Sequence, residues 1–154
     1  MKLSKDLREF IGLLNSKGIK FIIVGGHAVA YHGHPRFTGD IDFFVECSPA
    51  NAKALEQVII AFGFAGLGLT ANDFLKPETV IQLGRPPNRI DILTSITGVD
   101  FVRAWQTKTA ALLDGIPVFI ISKELLIKNK LAVHRPQDLA DLQQIAPDAD
   151  ADKK

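Results

Sequence analysis

The feature that most limits the possible folds of this chain is the alternation of short apolar runs with segments of helical periodicity. KFIIV at residues 20–24 and DIDFFVE at residues 40–46 have the length and the β-branched or aromatic content of buried strands. Between such runs, apolar residues recur three or four positions apart, as in amphipathic helices. The order helix, strand, helix, strand, helix, strands, helices predicts an α/β or α+β fold, with helices packed on a mixed central sheet.

The predicted elements have recognisable ends, such as a polar N-cap or an early proline at helix starts and glycine at helix ends. Helices are predicted over residues 4–17, 28–32, 49–62, 98–106, 122–133 and 137–145. Strands are predicted over residues 20–24, 40–46, 80–83, 89–96, 110–113 and 116–121. Asp114-Gly115 is the clearest hairpin turn. Residues 64–79 remain ambiguous.

Length and composition exclude several classes of protein. We expect one domain over residues 1–146 and a polar, disordered tail over residues 147–154. The formal net charge of +1 argues against coating nucleic acid by bulk electrostatics. The one cysteine, Cys47, excludes a disulfide-held fold and fits a reducing compartment. No apolar run of about 18 residues occurs in the sequence, so we expect no membrane segment and a cytoplasmic location.

Paired carboxylates on one strand point to cation chemistry. Asp40 and Asp42 are two residues apart and therefore share a face, whereas Ile41, Phe43 and Val45 point to the opposite, buried face. Carboxylates this close repel one another unless a cation neutralises them, and Mg²⁺ is the usual hard cation with oxygen ligands. A solvated strand edge is the alternative explanation for this pair.

Asp91 and a glycine pair extend this motif. Asp91 alternates with Ile90 and Ile92, which places it on the polar face of its own strand. If that strand lies beside the first, three carboxylates converge, and such a set can hold two divalent ions for phosphoryl chemistry. Gly25-Gly26 follows a strand and precedes a helix, so its backbone N–H groups could approach phosphate oxygens closely. An ordinary turn would use the same glycines.

The ordered combination of these motifs resembles the nucleotidyltransferase superfamily with the polymerase-β-like fold. More closely, GGHA…HG…R.T.DIDFFV, then RIDIL, then K…R..DL.DL resembles the small bacterial nucleotidyltransferases over roughly residues 20–145. These are the minimal, MNT-like enzymes and the abortive-infection toxins of the AbiEii type. Many superfamily members have Gly-Ser where this chain has Gly25-Gly26, which removes a hydroxyl that could bind phosphate.

The resemblance implies a role for each matching residue. Gly25 and Gly26 would contact the triphosphate of an NTP. Asp40 and Asp42 would bind two Mg²⁺ ions, and Asp91 would complete the metal site and help to deprotonate the acceptor hydroxyl. These three aspartates are thus the predicted catalytic and metal-binding residues.

Arg36, Thr38 and Lys130 are the further predicted nucleotide-binding residues, because they match the R.T.DID motif and the C-terminal helical motif. Arg36 could instead pair with one of the aspartates, and Lys130 could lie on a solvated helix face. The other matches in the C-terminal motif could form ion pairs on a helix surface: Arg135, Asp138 and Asp141.

Three clustered histidines, His27, His32 and His34, invite a zinc hypothesis. Their spacing matches no common zinc ligand set, and cysteine partners are missing from the sequence. We expect them to flank the nucleotide pocket or to pack in the protein.

The predicted activity is Mg²⁺-dependent transfer of an NMP from an NTP to a hydroxyl of an RNA end, a protein or a small molecule, within a toxin–antitoxin system. A homodimer or a partner subunit could supply the acceptor site, for which the chain has little room. The alternatives are a non-catalytic, antitoxin-like binding module and a phosphotransferase that moves the γ-phosphate through the same site.

Overall fold

The computed structural model describes residues 2–33, 40–85 and 88–146. Those residues form six α-helices and six β-strands. The helices are α1 (Lys5–Ser16), α2 (Gly25–His32), α3 (Pro49–Ile59), α4 (Phe101–Thr107), α5 (Lys123–Val133) and α6 (Pro136–Ile145). The strands are β1 (Phe21–Val24), β2 (Asp40–Val45), β3 (Val80–Leu83), β4 (Arg89–Leu93), β5 (Thr109–Leu113) and β6 (Ile116–Ile120). The predicted tail over residues 147–154 lies outside the described residues.

The strands form one mixed sheet in the order β3-β4-β2-β1-β6-β5. β1 is antiparallel to β2 and parallel to β6, and β2 is parallel to β4. The two outer pairs, β3-β4 and β5-β6, are antiparallel. This open mixed sheet with packed helices confirms the predicted α+β, nucleotidyltransferase-like fold.

The core lies on both faces of the sheet. On one face, Phe10 of α1 packs against Phe43 of β2 with ring centroids 5.5 Å apart. On the other face, Phe44 meets Phe101 of α4 at 5.1 Å. All four residues of the central strand β1 are buried. The period-2 alternation of β2 thus gives Phe43 to one layer of helices, and Phe44 and the aspartates to the other.

Four element boundaries differ from the prediction by three residues. α4 begins at Phe101 rather than at residue 98, because Asp100 is its N-cap and accepts a hydrogen bond from the Arg103 N–H. α2 begins at Gly25 rather than at residue 28, because a positive φ of 68° at Gly25 turns β1 directly into the helix. α3 ends at Ile59 and continues as a π-helical turn over Ile60–Phe64, inside which Gly63 has a φ of 106°. β4 ends at Leu93, because at the next residue, Thr94, the side-chain hydroxyl rather than the backbone carbonyl accepts the Thr79 N–H, at 2.9 Å.

The ambiguous segment is built from short helical turns. After the π-helical turn come two 3₁₀ turns, Ala65–Leu67 and Ala71–Phe74. Phe74 is fully buried and anchors this segment to the core. Within the described ranges, no helix combines the length and apolar content needed to cross a bilayer.

Candidate active site

The structure brings the three predicted carboxylates together on neighbouring strands. β2 and β4 run parallel, with Asp42 opposite Asp91 and Asp40 opposite Arg89. Because residues two apart share a face, all four side chains lie on the same side of the sheet. The strand of Asp91 thus lies beside the strand of Asp40 and Asp42, which is the condition for the three carboxylates to lie together.

Arg89 joins two of these carboxylates and was not predicted as a site residue. Its Nη2 lies 2.7 Å from Asp40 Oδ2 and 3.1 Å from Asp91 Oδ2, and its Nε lies 3.0 Å from Asp91 Oδ1. The guanidinium thus forms a bidentate pair with Asp91 and bridges to the adjacent strand. The sequence signal was present, because Arg89 precedes Asp91 by two residues and so shares its face.

Asp42 is the carboxyl of the site whose pKa is raised. Burial, the charge of Asp91 and a hydrogen bond with Asp91 raise the pKa of Asp42 from 3.8 to about 7, with a further contribution from Asp40. Arg89 acts in the opposite direction. Near neutral pH, Asp42 is therefore only partly ionised, because one guanidinium does not offset its burial and the neighbouring carboxylates.

Gly25 allows the backbone at the start of α2 to lie against Asp42. A Cβ on Gly25 would overlap the carboxylate and would lie 2.9 Å from Asp42 Cγ. The φ of 68° is also unfavourable for any residue with a side chain. Gly26 follows, half-buried, in the first turn of α2. Amide groups of a first helical turn have no partner within the helix, so this turn offers donors beside the carboxylates.

A cavity of about 410 Å³ lies over this part of the sheet. Its floor is formed by the three aspartates and Arg89, and Gly25 lies at its edge. Helix α5 and the residues after β4 form the other walls. The lining residues there include Ser95, Thr97, Asn129, Lys130 and Arg135.

Lys130 lines the cavity but is buried in an ion-pair network. Its Nζ lies 3.1 Å from Asp138 Oδ1 and 3.0 Å from Asp141 Oδ2. The alternative prediction of a solvated Lys130 is wrong, because α6 packs on α5 and covers it. The prediction of surface ion pairs for Asp138 and Asp141 is wrong for the same reason, since both are buried. The predicted contact of Lys130 with a nucleotide stays a prediction.

Arg135 connects this buried network to solvent. Its side chain is 67% exposed, and its Nε donates to Asp138 Oδ2 at 2.8 Å. Burial alone would raise the pKa of Asp138, but hydrogen bonds from Arg135 and Lys130 outweigh burial and lower it to about 2. Asp138 is therefore ionised throughout the physiological range, and Arg135 presents a guanidinium to the cavity.

The described histidines have packing contacts. His27 is buried, which lowers its pKa, while a hydrogen bond with the Asp40 backbone and the Asp40 charge oppose that shift. His32 Nε2 lies 2.7 Å from the Ile121 carbonyl oxygen. The remaining predicted residues of this segment, His34, Arg36 and Thr38, lie outside the described residues.

The fit of a divalent cation depends on Arg89. In the part of the chain that the structure describes, no group of three or more His, Cys, Asp or Glu side chains is arranged to hold a metal ion. At the aspartates, the guanidinium takes the place of a cation by binding Asp40 and Asp91. The donor chemistry still fits Mg²⁺, because Asp40, Asp42 and Asp91 line one cavity and carboxylate oxygens are ligands that this ion prefers. Metal binding by these residues stays a prediction.

The fold and the site together define the class of protein. A mixed sheet that places three carboxylates beside a glycine turn is typical of nucleotidyltransferases. Over residues 3–153, the chain matches the model of the family described as "Nucleotidyl transferase of unknown function (DUF2204)", and it belongs to that family. The resemblance to the nucleotidyltransferase superfamily is thus confirmed. No curated protein matches the chain.

Proposed function

We propose that this protein is a Mg²⁺-dependent nucleotidyltransferase that transfers an NMP from an NTP to a hydroxyl acceptor and releases pyrophosphate. The observation that carries the proposal is the convergence of Asp40, Asp42 and Asp91 against Gly25 in one cavity. Membership in a nucleotidyl transferase family supports the reaction class.

Nucleotide binding is proposed to rest on the backbone of α2 and on Arg135. The triphosphate would lie at the first turn of α2, where backbone N–H groups and the positive end of the helix dipole favour phosphate. Gly25 permits the close approach because it has no side chain. Arg135, exposed at the cavity wall, would donate hydrogen bonds to phosphate oxygens.

The chemical step would take place over β2 and β4. Two Mg²⁺ ions would be held by Asp40, Asp42 and Asp91. These ions would neutralise phosphate charge and lower the pKa of the acceptor hydroxyl. Asp91 would take up the proton of that hydroxyl. The acceptor oxygen would attack the α-phosphorus in line as the bond to the β-phosphate oxygen breaks, so the protein contributes mainly positioning and electrostatics.

The proposal includes several classes of acceptor. An RNA end and a protein hydroxyl are favoured by the resemblance to toxin nucleotidyltransferases, as is a role in a toxin–antitoxin pair. A second copy or a partner subunit could supply the acceptor-binding surface. The proposal therefore includes the NTP as substrate and leaves the acceptor to be identified by label.

Label transfer tests the proposal directly. The protein is incubated with Mg²⁺, each α-³²P-labelled NTP and an extract of the source organism, and the products are then treated with RNase or protease. We expect label in RNA or protein with the wild type and none with Asp42→Asn or with EDTA. Asp6→Asn is the matched control, because Asp6 is exposed in the first turn of α1, away from the cavity.

Two other outcomes would contradict nucleotidyl transfer. Label transferred from a γ-labelled NTP, but not from the α-labelled one, would indicate a phosphotransferase. Equal labelling by the wild type and by Asp42→Asn would assign the activity to a contaminant and would favour a non-catalytic binding module.

A further inference from the structure

Arg89 occupies the position that a cation would take between β2 and β4. Both oxygens of Asp91 and one oxygen of Asp40 accept hydrogen bonds from its guanidinium, at 2.7 to 3.1 Å. The carboxylate of Asp91 is only 10% exposed, so the guanidinium is its principal contact with positive charge. The same oxygens would have to bind a divalent cation.

A guanidinium cannot make room for a second cation by losing its proton, because arginine stays charged in proteins. It must therefore move away when a divalent cation binds Asp40 and Asp91. The Arg89 side chain is 30% exposed and lines the cavity, so it can move without opening the core. An NTP that enters with the cation brings phosphate oxygens, which accept the same bidentate hydrogen bonds as a carboxylate.

We propose that Arg89 is a placeholder cation: it holds Asp40 and Asp91 when no divalent cation is bound, and it donates to the phosphate groups of the NTP when the cation and the NTP are bound. This inference rests on the proposed function, since it assumes a divalent cation at the aspartates. It makes Arg89 a nucleotide-binding residue that neither the family description nor the sequence motif assigns.

The proposal has a thermodynamic consequence. Mg²⁺ alone must displace Arg89 from two carboxylates, which weakens its binding. Mg²⁺ that arrives with a nucleotide offers the displaced guanidinium new partners, so the two ligands bind cooperatively. In a protein without Arg89, Mg²⁺ binding is no longer weakened, and the cooperativity between Mg²⁺ and the nucleotide is lost.

Calorimetry separates the two effects. Mg²⁺ alone, and then α,β-methylene-ATP at saturating Mg²⁺, are titrated into the wild type, Arg89→Gln, Arg89→Lys and Arg85→Gln. For Arg89→Gln we expect Mg²⁺ alone to bind about tenfold tighter and the nucleotide analogue to bind about tenfold weaker. A tenfold change in affinity is the size expected when one charge-assisted hydrogen bond is lost. Arg89→Lys keeps the charge but loses the fork and should lie between.

Arg85→Gln is the matched control. Arg85 is exposed on the β3-β4 connection and outside the cavity lining, so removing its charge should change neither affinity. Weaker or unchanged Mg²⁺ binding in Arg89→Gln would overturn the placeholder role. Tighter Mg²⁺ binding with unchanged binding of the analogue would overturn the phosphate-binding role.

A spectroscopic measurement keeps the test valid if the glutamine variant does not fold. The Nε–H signal of Arg89, assigned by its loss in Arg89→Lys, should shift when Mg²⁺ is added to the wild type. A signal that Mg²⁺ binding leaves in place would overturn the displacement. If neither the wild type nor any variant binds Mg²⁺, the proposed function fails with the inference, whereas equal binding by all variants refutes the inference alone.

Discussion

Asp42→Asn should stabilise the metal-free protein at neutral and alkaline pH, although it removes a predicted catalytic residue. Asp42 lies beside Asp91 on the next strand, and its pKa is raised from 3.8 to about 7. The ionised form is therefore unfavourable in the folded state. Asparagine is neutral, has nearly the same shape and can still donate a hydrogen bond to Asp91.

The size of the effect follows from linkage. Each pKa unit corresponds to about 1.4 kcal/mol, so ionising Asp42 costs the folded state about 4 kcal/mol as an upper bound. Solvent screening of this partly exposed carboxyl reduces that figure, and we expect the variant to gain about 1–2 kcal/mol. Because the folded pKa lies above the unfolded one, wild-type stability falls as pH rises from about 4 to about 7. The advantage of Asp42→Asn should grow over that window and stay constant above it.

Urea unfolding in EDTA from pH 4.5 to pH 8.5, followed by the fluorescence of the single tryptophan, Trp105, measures this difference. Asp6→Asn serves as the charge-matched control and should be no more stable than the wild type, because an acidic residue in a first helical turn is stabilising. A variant that is no more stable than the wild type at pH 8, or whose advantage is the same at pH 5 and pH 8, would refute the assignment of repulsion to Asp42. Adding Mg²⁺ should stabilise the wild type more than the variant.

Two further substitutions test the site and the network behind it by the same unfolding measurement. Gly25→Ala should abolish nucleotide transfer and lower the free energy of unfolding by about 1–3 kcal/mol, because it adds backbone strain and a clash with Asp42. Gly18→Ala is the control for strain alone, since Gly18 has a φ of 65° but free space for a Cβ. Equal losses of stability in the two variants would disprove the clash. Lys130→Met should cost about 3–5 kcal/mol, because it removes the buried cation that pairs with Asp138 and Asp141, although Arg135 remains paired with Asp138. Lys128→Met, on the exposed side of α5, should cost little, and a similar loss in both lysine variants would contradict a specific buried network.

The strands and the three carboxylates could be predicted because alternation with a period of two is visible in the sequence. Asp40 and Asp42 had to share a face once their segment formed a strand. The alternation does not determine the register between neighbouring strands. Arg89 stands opposite Asp40 only because β4 pairs with β2 in parallel at that register, which follows from long-range packing.

Lys130 shows a second limit of prediction from sequence. Its helix has polar residues on several sides, so periodicity could not decide which side is covered. The docking of α6 buries Lys130 against Asp138 and Asp141, and this contact joins two separate helices. The irregular turns over residues 60–75 were equally inaccessible, since π and 3₁₀ turns have no repeating apolar pattern.

The pairing of β2 with β4 also limits how the length of this chain can change during evolution. Inserting one residue within β4 would turn Asp91 to the opposite face of the sheet. Inserting two would restore the face but move the carboxylate by about 7 Å along the strand, too far to share a cation with Asp42. The turns over residues 60–75 contribute none of the described residues that line the cavity. Insertions and deletions among relatives are therefore expected mainly in those turns, whereas β2 and β4 should have the same number of residues in all of them.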